Sequence, residues 1–179
     1  MTLKLARGLP RLRTKRFGNA VTDCIGAAQR RSFRIVHYSI QSNHMHLIVE
    51  ADDRAALAGG MKGLTCRIAR TLNKLWRRRG RVFVERFHDR ALRSLRQVRN
   101  VLRYVLNNHL KHMELASPGG ASLDPDWFSS GRYFDGWVGR GADLDAGAEG
   151  AIVAEAGWKI RSGWKQYYPA IGLGEVPAL

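Results

Sequence analysis

The chain has 179 residues, enough for one domain with a substantial core and a smaller appendage. Its hydrophobic content of 45% is ordinary for a globular protein, but 30 Lys and Arg against 15 Asp and Glu leave a net charge of +15. Such an excess favours a polyanionic partner, above all nucleic acid. The chain has no apolar run of the roughly 18 residues that a membrane span needs and no apolar signal segment, so we expect a cytoplasmic protein without a membrane partner.

The positive charge is concentrated in the first part of the chain. Residues 1–113 hold 25 basic and 6 acidic residues, a net charge of +19, whereas residues 114–179 hold 5 and 9, a net charge of −4. A run of Ser, Pro and Gly over 117–120 reads as a linker near this change. We therefore predict a basic domain over 1–113 and a partly irregular C-terminal extension over 114–179.

Hydrophobic periodicity divides the first third of the chain into four elements. A short strand over Thr2–Ala6 is followed by an alanine-rich helix from Asn19 to about Arg31. Two further strands, Ser32–Ile40 and His44–Glu50, are separated by only three residues. This short connection predicts an antiparallel hairpin.

The next elements are a long helix, a strand and a final helix. Asp52 and Asp53 supply the N-cap of the long helix, which we expect Gly80 to stop. The alternating segment from Arg81 to about Leu92 predicts a strand, and a capping box that begins at Ser94 opens a helix to about residue 112. The order β-α-β-β-α-β is that of a ferredoxin-like α+β sandwich, an antiparallel sheet with helices on one face, here with an extra C-terminal helix.

The motif His44-Met45-His46 lies inside the third strand. Successive side chains of a strand alternate between its faces, so both imidazoles are predicted on the same face. Two adjacent imidazoles are the start of a metal site. Such a pair is nevertheless more often structural, and its interpretation depends on the residues that accompany it.

The final helix supplies such residues. A polar line runs beside its apolar stripe at positions i, i+4, i+8 and i+11. Together with the histidine pair, Asn108 could complete a divalent-cation site and Tyr104 could attack a polarised phosphorus atom. Separately, Tyr104 could be a half-buried amphipathic residue and Asn108 part of a C-cap. The polar line consists of Asn100, Tyr104, Asn108 and Lys111.

Taken together, these motifs resemble those of the single-tyrosine HUH transposases, the IS200-like family. His44-Met45-His46 is similar to their His-hydrophobic-His motif. The segment 104–108 is similar to their nucleophile helix, where the third metal ligand follows the tyrosine by four residues. The resemblance covers about residues 2–113 and is greatest to the REP-associated tyrosine transposases. Asp124–Trp137 is similar to a tail segment of some members.

The resemblance implies an HUH endonuclease fold with His44, His46 and Asn108 as ligands of Mg²⁺ or Mn²⁺ and Tyr104 as the nucleophile. It implies cleavage of single-stranded or hairpin DNA through a 5′-phosphotyrosine intermediate, followed by rejoining. It also implies a monomer rather than a dimer.

This chain departs from the family pattern at one position beside the predicted third ligand. Many members carry proline there, whereas this chain has His109. Either His109 or His112 therefore stays open as a ligand that competes with Asn108.

Basic residues are expected to hold the DNA backbone rather than to read bases. The first loop, with Arg11, Arg13, Lys15 and Arg16, is an alternative contact for a DNA hairpin. The predicted DNA-binding residues are Arg67, Arg70, Lys74, Arg77, Arg78, Arg79, Arg81 and Lys111.

Two other functions remain in competition with a transposase. One is a non-catalytic single-stranded nucleic-acid-binding protein, an inactive or domesticated copy, although the strands lack interleaved aromatic residues on one face for base stacking. The other is a metal-dependent hydrolase in which Tyr104 is incidental, which the lack of an accompanying set of acidic ligands disfavours.

Overall fold

A computed structural model of the protein describes residues 1–84, 87–110, 124–139 and 157–177. Shorter helical turns in the extension span Ser130–Tyr133, Lys159–Gly163 and Trp164–Gln166. Over the described ranges no helix is both long and apolar enough to cross a bilayer. The main elements are β1 (Thr2–Lys4), α1 (Lys15–Gly26), β2 (Phe33–Ile40), β3 (His44–Ala51), α2 (Arg54–Leu75) and α3 (Leu95–Leu106).

The three strands form an antiparallel sheet in the order β1-β3-β2, and the predicted hairpin of β2 and β3 is confirmed. The pairing shifts between Ile35 and His37, which leaves Val36 as the extra residue of a bulge. Val36 consequently joins the core on one face of the sheet, while Ile35 and Tyr38 join the core on the other.

The predicted fourth strand, Arg81–Leu92, is not a continuous strand among the described residues. It meets β1 through isolated antiparallel bridges, Leu5 with Phe83 and Thr2 with His88. The register differs by two residues between these bridges, and this interrupts the ladder. The α+β class is confirmed, whereas the three-stranded sheet does not establish the ferredoxin-like fold.

Helices cover both faces of the sheet, so the expectation of helices on one face holds only for α1 and α2. These two pack on a core that includes Met45 and Leu47 of β3. Ile48 faces the other way and packs with α3 and with Trp137 and Trp164 of the extension. The apolar residues on this second face, among them Val36 and Ile48, also need cover, and the C-terminal residues supply much of it. The predicted domain division at residue 113 stays a prediction.

Side-chain caps determine where the helices begin. The Asp53 carboxylate accepts a hydrogen bond from the N–H of Ala56 at 2.7 Å, and Ser94 caps α3 as predicted. α1 begins earlier than the sequence pattern indicates, because the Thr14 hydroxyl accepts from the N–H of Phe17. The capping residues therefore predict where these helices begin more accurately than the apolar periodicity does.

The end of α2 differs from the prediction. Arg77 takes the left-handed conformation, with φ of 52°, after the C-cap residue Trp76. The N–H of Arg78 then donates to the carbonyl of Asn73 at 2.9 Å, the pairing of a Schellman motif. The helix thus stops before Gly80, because an arginine occupies the position that usually favours glycine.

Candidate active site

The two histidines of β3 point their ring nitrogens at one another. The Nε2 atoms of His44 and His46 are 3.1 Å apart, and the ring centroids are 4.8 Å apart. The prediction that both imidazoles share a face is confirmed. Two imidazoles that bind one ion at about 2.1 Å and roughly at right angles are separated by about 3 Å, so the pair fits a divalent cation.

Neighbouring side chains fix the remaining nitrogen of each ring. His44 Nδ1 lies 2.8 Å from Asn43 Oδ1, an acceptor that keeps the proton on Nδ1 and leaves the Nε2 lone pair for a metal. His46 Nδ1 lies 3.0 Å from the hydroxyl of Thr2, which faces it across the β1–β3 ladder. The sequence pattern indicated neither Asn43 nor Thr2 as a functional residue. The register that pairs Thr2 with His46 is the signal that would have found Thr2.

Tyr104 contacts this pair from α3. Its ring packs edge-on against the imidazole of His46, with centroids 5.1 Å apart and planes at 77°. The helix buries Leu102, Val105 and Leu106 against the sheet and the extension, and Tyr104 on the neighbouring side is half-buried and reaches β3. The structure therefore brings together the predicted nucleophile and one of the two predicted histidine ligands, which are 58 positions apart in the sequence.

The predicted third ligand lies just beyond the end of α3. The helix ends at Leu106, so Asn108 sits in a turn rather than one full helical turn after Tyr104. Asn108 is buried, and its Nδ2 has no hydrogen-bond partner among the described residues. Rotation of the carboxamide would put the oxygen at that point, and an amide oxygen is a donor that hard divalent cations accept.

His109 is the competing ligand that falls within the described range. It is buried, its Nδ1 has no hydrogen-bond partner there, and burial lowers the pKa of its imidazole. In the described part of the chain, however, no three His, Cys, Asp or Glu side chains come together as a metal-binding group. His109 and the histidine pair therefore do not form such a group among the described residues, and the ligand roles of His109 and of the Asn108 amide both stay predictions. The other candidates, His112 and Lys111, lie outside the described residues.

A cleft of about 520 Å³ opens beside His44. His109 and Gln41 line it together with Arg11 and Arg13 of the first loop. Arg11 is exposed and can approach a phosphate in the cleft. The first-loop arginines, which the sequence offered only as an alternative DNA contact, thus share a cleft with His44.

The predicted basic ridge of α2 lies elsewhere. α2 packs on the face of the sheet opposite α3, and Arg67, Arg70 and Lys74 are exposed on its outer side. Arg78 is held by Asn73. The ridge and the histidine pair are therefore on opposite sides of the sheet, and the ridge does not contribute to the cleft.

The carboxylate of Glu175, in the extension, holds α3 in place. Glu175 accepts hydrogen bonds from both Arg99 and Arg103, at 2.9 to 3.1 Å. Burial alone would raise the pKa of Glu175, but the two guanidinium groups hold that pKa below its usual value. The side chain of Asn107 donates to the carbonyls of Gly172 and Glu175. Residues of the extension thus hold the helix that carries Tyr104.

One comparison with known protein families gave a match. A family model described as transposase IS200-like matches residues 13–108, just over half of the chain. The chain belongs to the IS200-like transposase family. The matched range includes both histidines, Tyr104 and Asn108. Neither a search of curated proteins nor a search of solved structures gave a match.

Proposed function

We propose that this protein is a DNA strand transferase of the REP-associated type, which cleaves and rejoins single-stranded, hairpin-containing DNA. Tyr104 is the nucleophile, and His44, His46 and Asn108 hold Mg²⁺ or Mn²⁺. The observation that carries the proposal is the contact between the Tyr104 ring and the imidazole of His46. A phenol next to a pair of imidazoles with converging nitrogens has the parts that metal-assisted phosphoryl transfer needs.

The proposed reaction is a transesterification. A divalent cation held by His44, His46 and Asn108 would supply Lewis-acid polarisation of the scissile phosphate. The Tyr104 oxygen attacks phosphorus, and the bond to the 3′-oxygen of the preceding nucleotide breaks. The phenolic proton passes to solvent, and the leaving oxygen takes up a proton to become a free 3′-OH. The new 5′-phosphotyrosine ester retains the energy of the broken ester, so a 3′-OH from another end can reverse the step without a nucleotide cofactor.

Other residues of the chain prepare this step. Asn43 and Thr2 orient the two imidazoles, because each contacts the Nδ1 atom that faces away from the pair. Arg11 lies in the same cleft as His44, where it places positive charge beside the scissile phosphate. Tyr104 and His46 of a single chain are already in contact. This contact within one chain supports a monomer as the active form.

A covalent-adduct assay tests the proposal. The protein is incubated with labelled single-stranded DNA hairpins and Mn²⁺, and an SDS-stable protein–DNA adduct is measured. The wild type should form it and Tyr104→Phe should not, whereas Tyr167→Phe, which changes a tyrosine that is 70% exposed, should behave like the wild type. An adduct that persists in Tyr104→Phe would refute the assignment of the nucleophile. Binding without cleavage of any hairpin would favour a non-catalytic single-stranded nucleic-acid-binding protein.

A further inference from the structure

A second pocket lies between α1, the edge strand β2 and the extension. Its volume is about 300 Å³, at the lower end of the range for small-molecule sites. Its lining includes side chains of α1 and β2 and two side chains of the extension. They are Asn19, Thr22, Asp23 and Tyr38, and then Trp127 and Arg132. None of the ligands or the nucleophile proposed for the active site is among the lining residues.

Trp127 gives this pocket, here called the Trp127 pocket, an aromatic wall. The side chain is 56% exposed, although tryptophan is usually well covered. The guanidinium carbon of Arg132 stacks over the indole, 3.8 Å from the ring centroid. This cation–π contact supports the ring in an open position. An indole supported in this way is a surface on which a nucleobase can stack.

The polar groups of the pocket can pair with the edge of a base, while the guanidinium of Arg132 is stacked on Trp127. The Asp23 carboxylate would repel a phosphate, but it can accept hydrogen bonds from an exocyclic amino group. Asn19 offers both a donor and an acceptor, and Thr22 and Tyr38 add two hydroxyl groups to the lining. A base with an amino group therefore has a partner for its edge as well as for its face.

The Trp127 pocket adjoins the cleft of the proposed active site. Arg13 lines that cleft and pairs with Asp126, the residue immediately before Trp127. A single strand that leaves the cleft along Arg13 would be directed towards the segment that begins at Asp126 and continues with Trp127. The ion pair of Arg13 and Asp126 thus connects a wall of the cleft to the segment that carries Trp127.

We propose that the Trp127 pocket binds one unpaired base of the DNA substrate, a base with an exocyclic amino group, stacked on Trp127 and hydrogen-bonded to Asp23. The inference rests on the proposed function, because it takes its ligand from the DNA that this function acts on. The stack provides affinity for unpaired DNA. The carboxylate provides preference for one chemical class of base next to the cleavage site.

Binding of two oligonucleotides tests the pocket. Fluorescence anisotropy measures the affinity for labelled oligo-deoxycytidine and oligo-deoxyuridine 20-mers in EDTA, with the Tyr104→Phe protein, so that no cleavage occurs. The two probes carry the same phosphates and differ in the amino group, so sequence-independent contacts cancel in the ratio of affinities. The protein should bind the cytidine probe at least fivefold more tightly. Equal affinities would overturn the proposal.

Variants in the same background assign the effect. Trp127→Ala should weaken binding of both probes by about tenfold, within the range for loss of one base–aromatic stack, and Trp127→Phe should restore part of it. Asp23→Asn should bring the ratio of affinities towards one while affinity for the uridine probe is retained. Trp158→Ala is the matched control, since Trp158 is 52% exposed and lies outside the pocket. Equal effects of Trp127→Ala and Trp158→Ala, or a ratio unchanged in Asp23→Asn, would overturn the proposal.

The adduct assay separates this inference from the proposed function. Adduct formation by the wild type without an effect of Trp127→Ala on binding would overturn the base pocket alone. A cytidine preference that depends on Trp127, without any adduct, would overturn the strand-transfer chemistry and support the pocket.

Discussion

Arg13 and Asp126, 113 positions apart in the sequence, form a bidentate ion pair with both N–O distances at 2.8 Å. The Asp126 side chain is only 4% exposed, and Arg13 also donates to the carbonyl of Ile40. At the same place the N–H of Ile40 donates to the carbonyl of Phe128, so the extension covers the free edge of β2. The pair therefore holds the extension against the sheet and one wall of the active-site cleft in place.

Removal of this carboxylate should destabilise the protein. Asp126→Asn leaves a partly buried guanidinium without its anionic partner and should lower the free energy of unfolding by about 2–3 kcal/mol. Urea unfolding at pH 7 measures the change. The control is Asp135→Asn, because the pair of Asp135 with Lys165 is on the surface and should contribute less than about 1 kcal/mol. Equal losses in the two variants would contradict a special role for the buried pair.

Substitutions at the end of α3 should identify the third metal ligand. Asn108→Ala should lower the affinity for Mn²⁺ by at least about tenfold, because it removes an oxygen donor, and Asn108→Asp should retain affinity because it keeps one. Isothermal titration of the purified protein with Mn²⁺ measures both. His109→Ala should have the smaller effect. The reverse order of losses would transfer the ligand role to His109.

The basic ridge of α2 should contribute to DNA binding, whereas Arg11 of the first loop should contribute to DNA cleavage. Joint replacement of Arg67, Arg70 and Lys74 by Ala should reduce the dependence of log K on log salt concentration by about 0.7 for each lost phosphate contact with a single strand. It should not reduce the rate of adduct formation at saturating DNA, since α2 packs on the opposite face of the sheet. Arg11→Ala should slow adduct formation itself. A triple variant that forms adduct as slowly as Arg11→Ala would contradict this division.

A mixture of two inactive variants should remain inactive if the site belongs to one chain. Tyr104→Phe lacks the nucleophile, and His46→Ala lacks a metal ligand. In the structure the two side chains of the same chain are in contact, so neither variant can supply the missing part to the other. Adduct formation by the mixture, with each variant inactive alone, would instead indicate a dimer with shared active sites.

Stability should fall in mild acid because of His37. Burial lowers the pKa of its imidazole to about 4, while the charge of Asp135 opposes this; the ring contacts Ser130 and Phe134. Between pH 6.5 and 4 the unfolded chain binds a proton at this position that the folded chain does not. The stability present above pH 6.5 is therefore lost as the pH falls, by about 3 kcal/mol at pH 4.

Urea unfolding between pH 7 and pH 4.5 measures this loss. His37→Asn should flatten the pH dependence, and His88→Asn, at an exposed position, should leave it as in the wild type. Identical pH profiles for wild type and His37→Asn would exclude His37 as the cause.

The parts of the fold that depend on local chemistry follow directly from the sequence. The period of two in β3 places His44 and His46 on one face, and the three-residue connection specifies the hairpin. Ser94 fixes where α3 begins, because its hydroxyl caps the helix whatever the helix packs against. These features depend on interactions within a few residues, and the identities of those residues are sufficient to predict them.

The sequence-based predictions failed where residues that are distant in the sequence determine the local conformation. Arg81–Leu92 has the alternation of a strand, but its ladder depends on the short β1 and is interrupted. α2 ends at a left-handed Arg77, before the Gly80 that the sequence pattern indicated as its stop. The side chain of Asn73 hydrogen-bonds to Arg78 and Gly80 in the loop that follows. No local pattern indicates that Arg13 pairs with Asp126 or that α2 carries its basic ridge away from the cleft.

The sequence by itself determined the histidine pair, the tyrosine helix and the excess of positive charge that favours nucleic acid, because period, capping and composition are local properties. The tertiary structure alone decided that Tyr104 contacts His46, that Arg11 rather than the α2 ridge shares a cleft with His44, and that Arg132 stacks on Trp127. These relationships depend on which faces of the sheet the helices and the extension cover. That choice is made by the burial of apolar surface over the whole chain, which no short segment encodes.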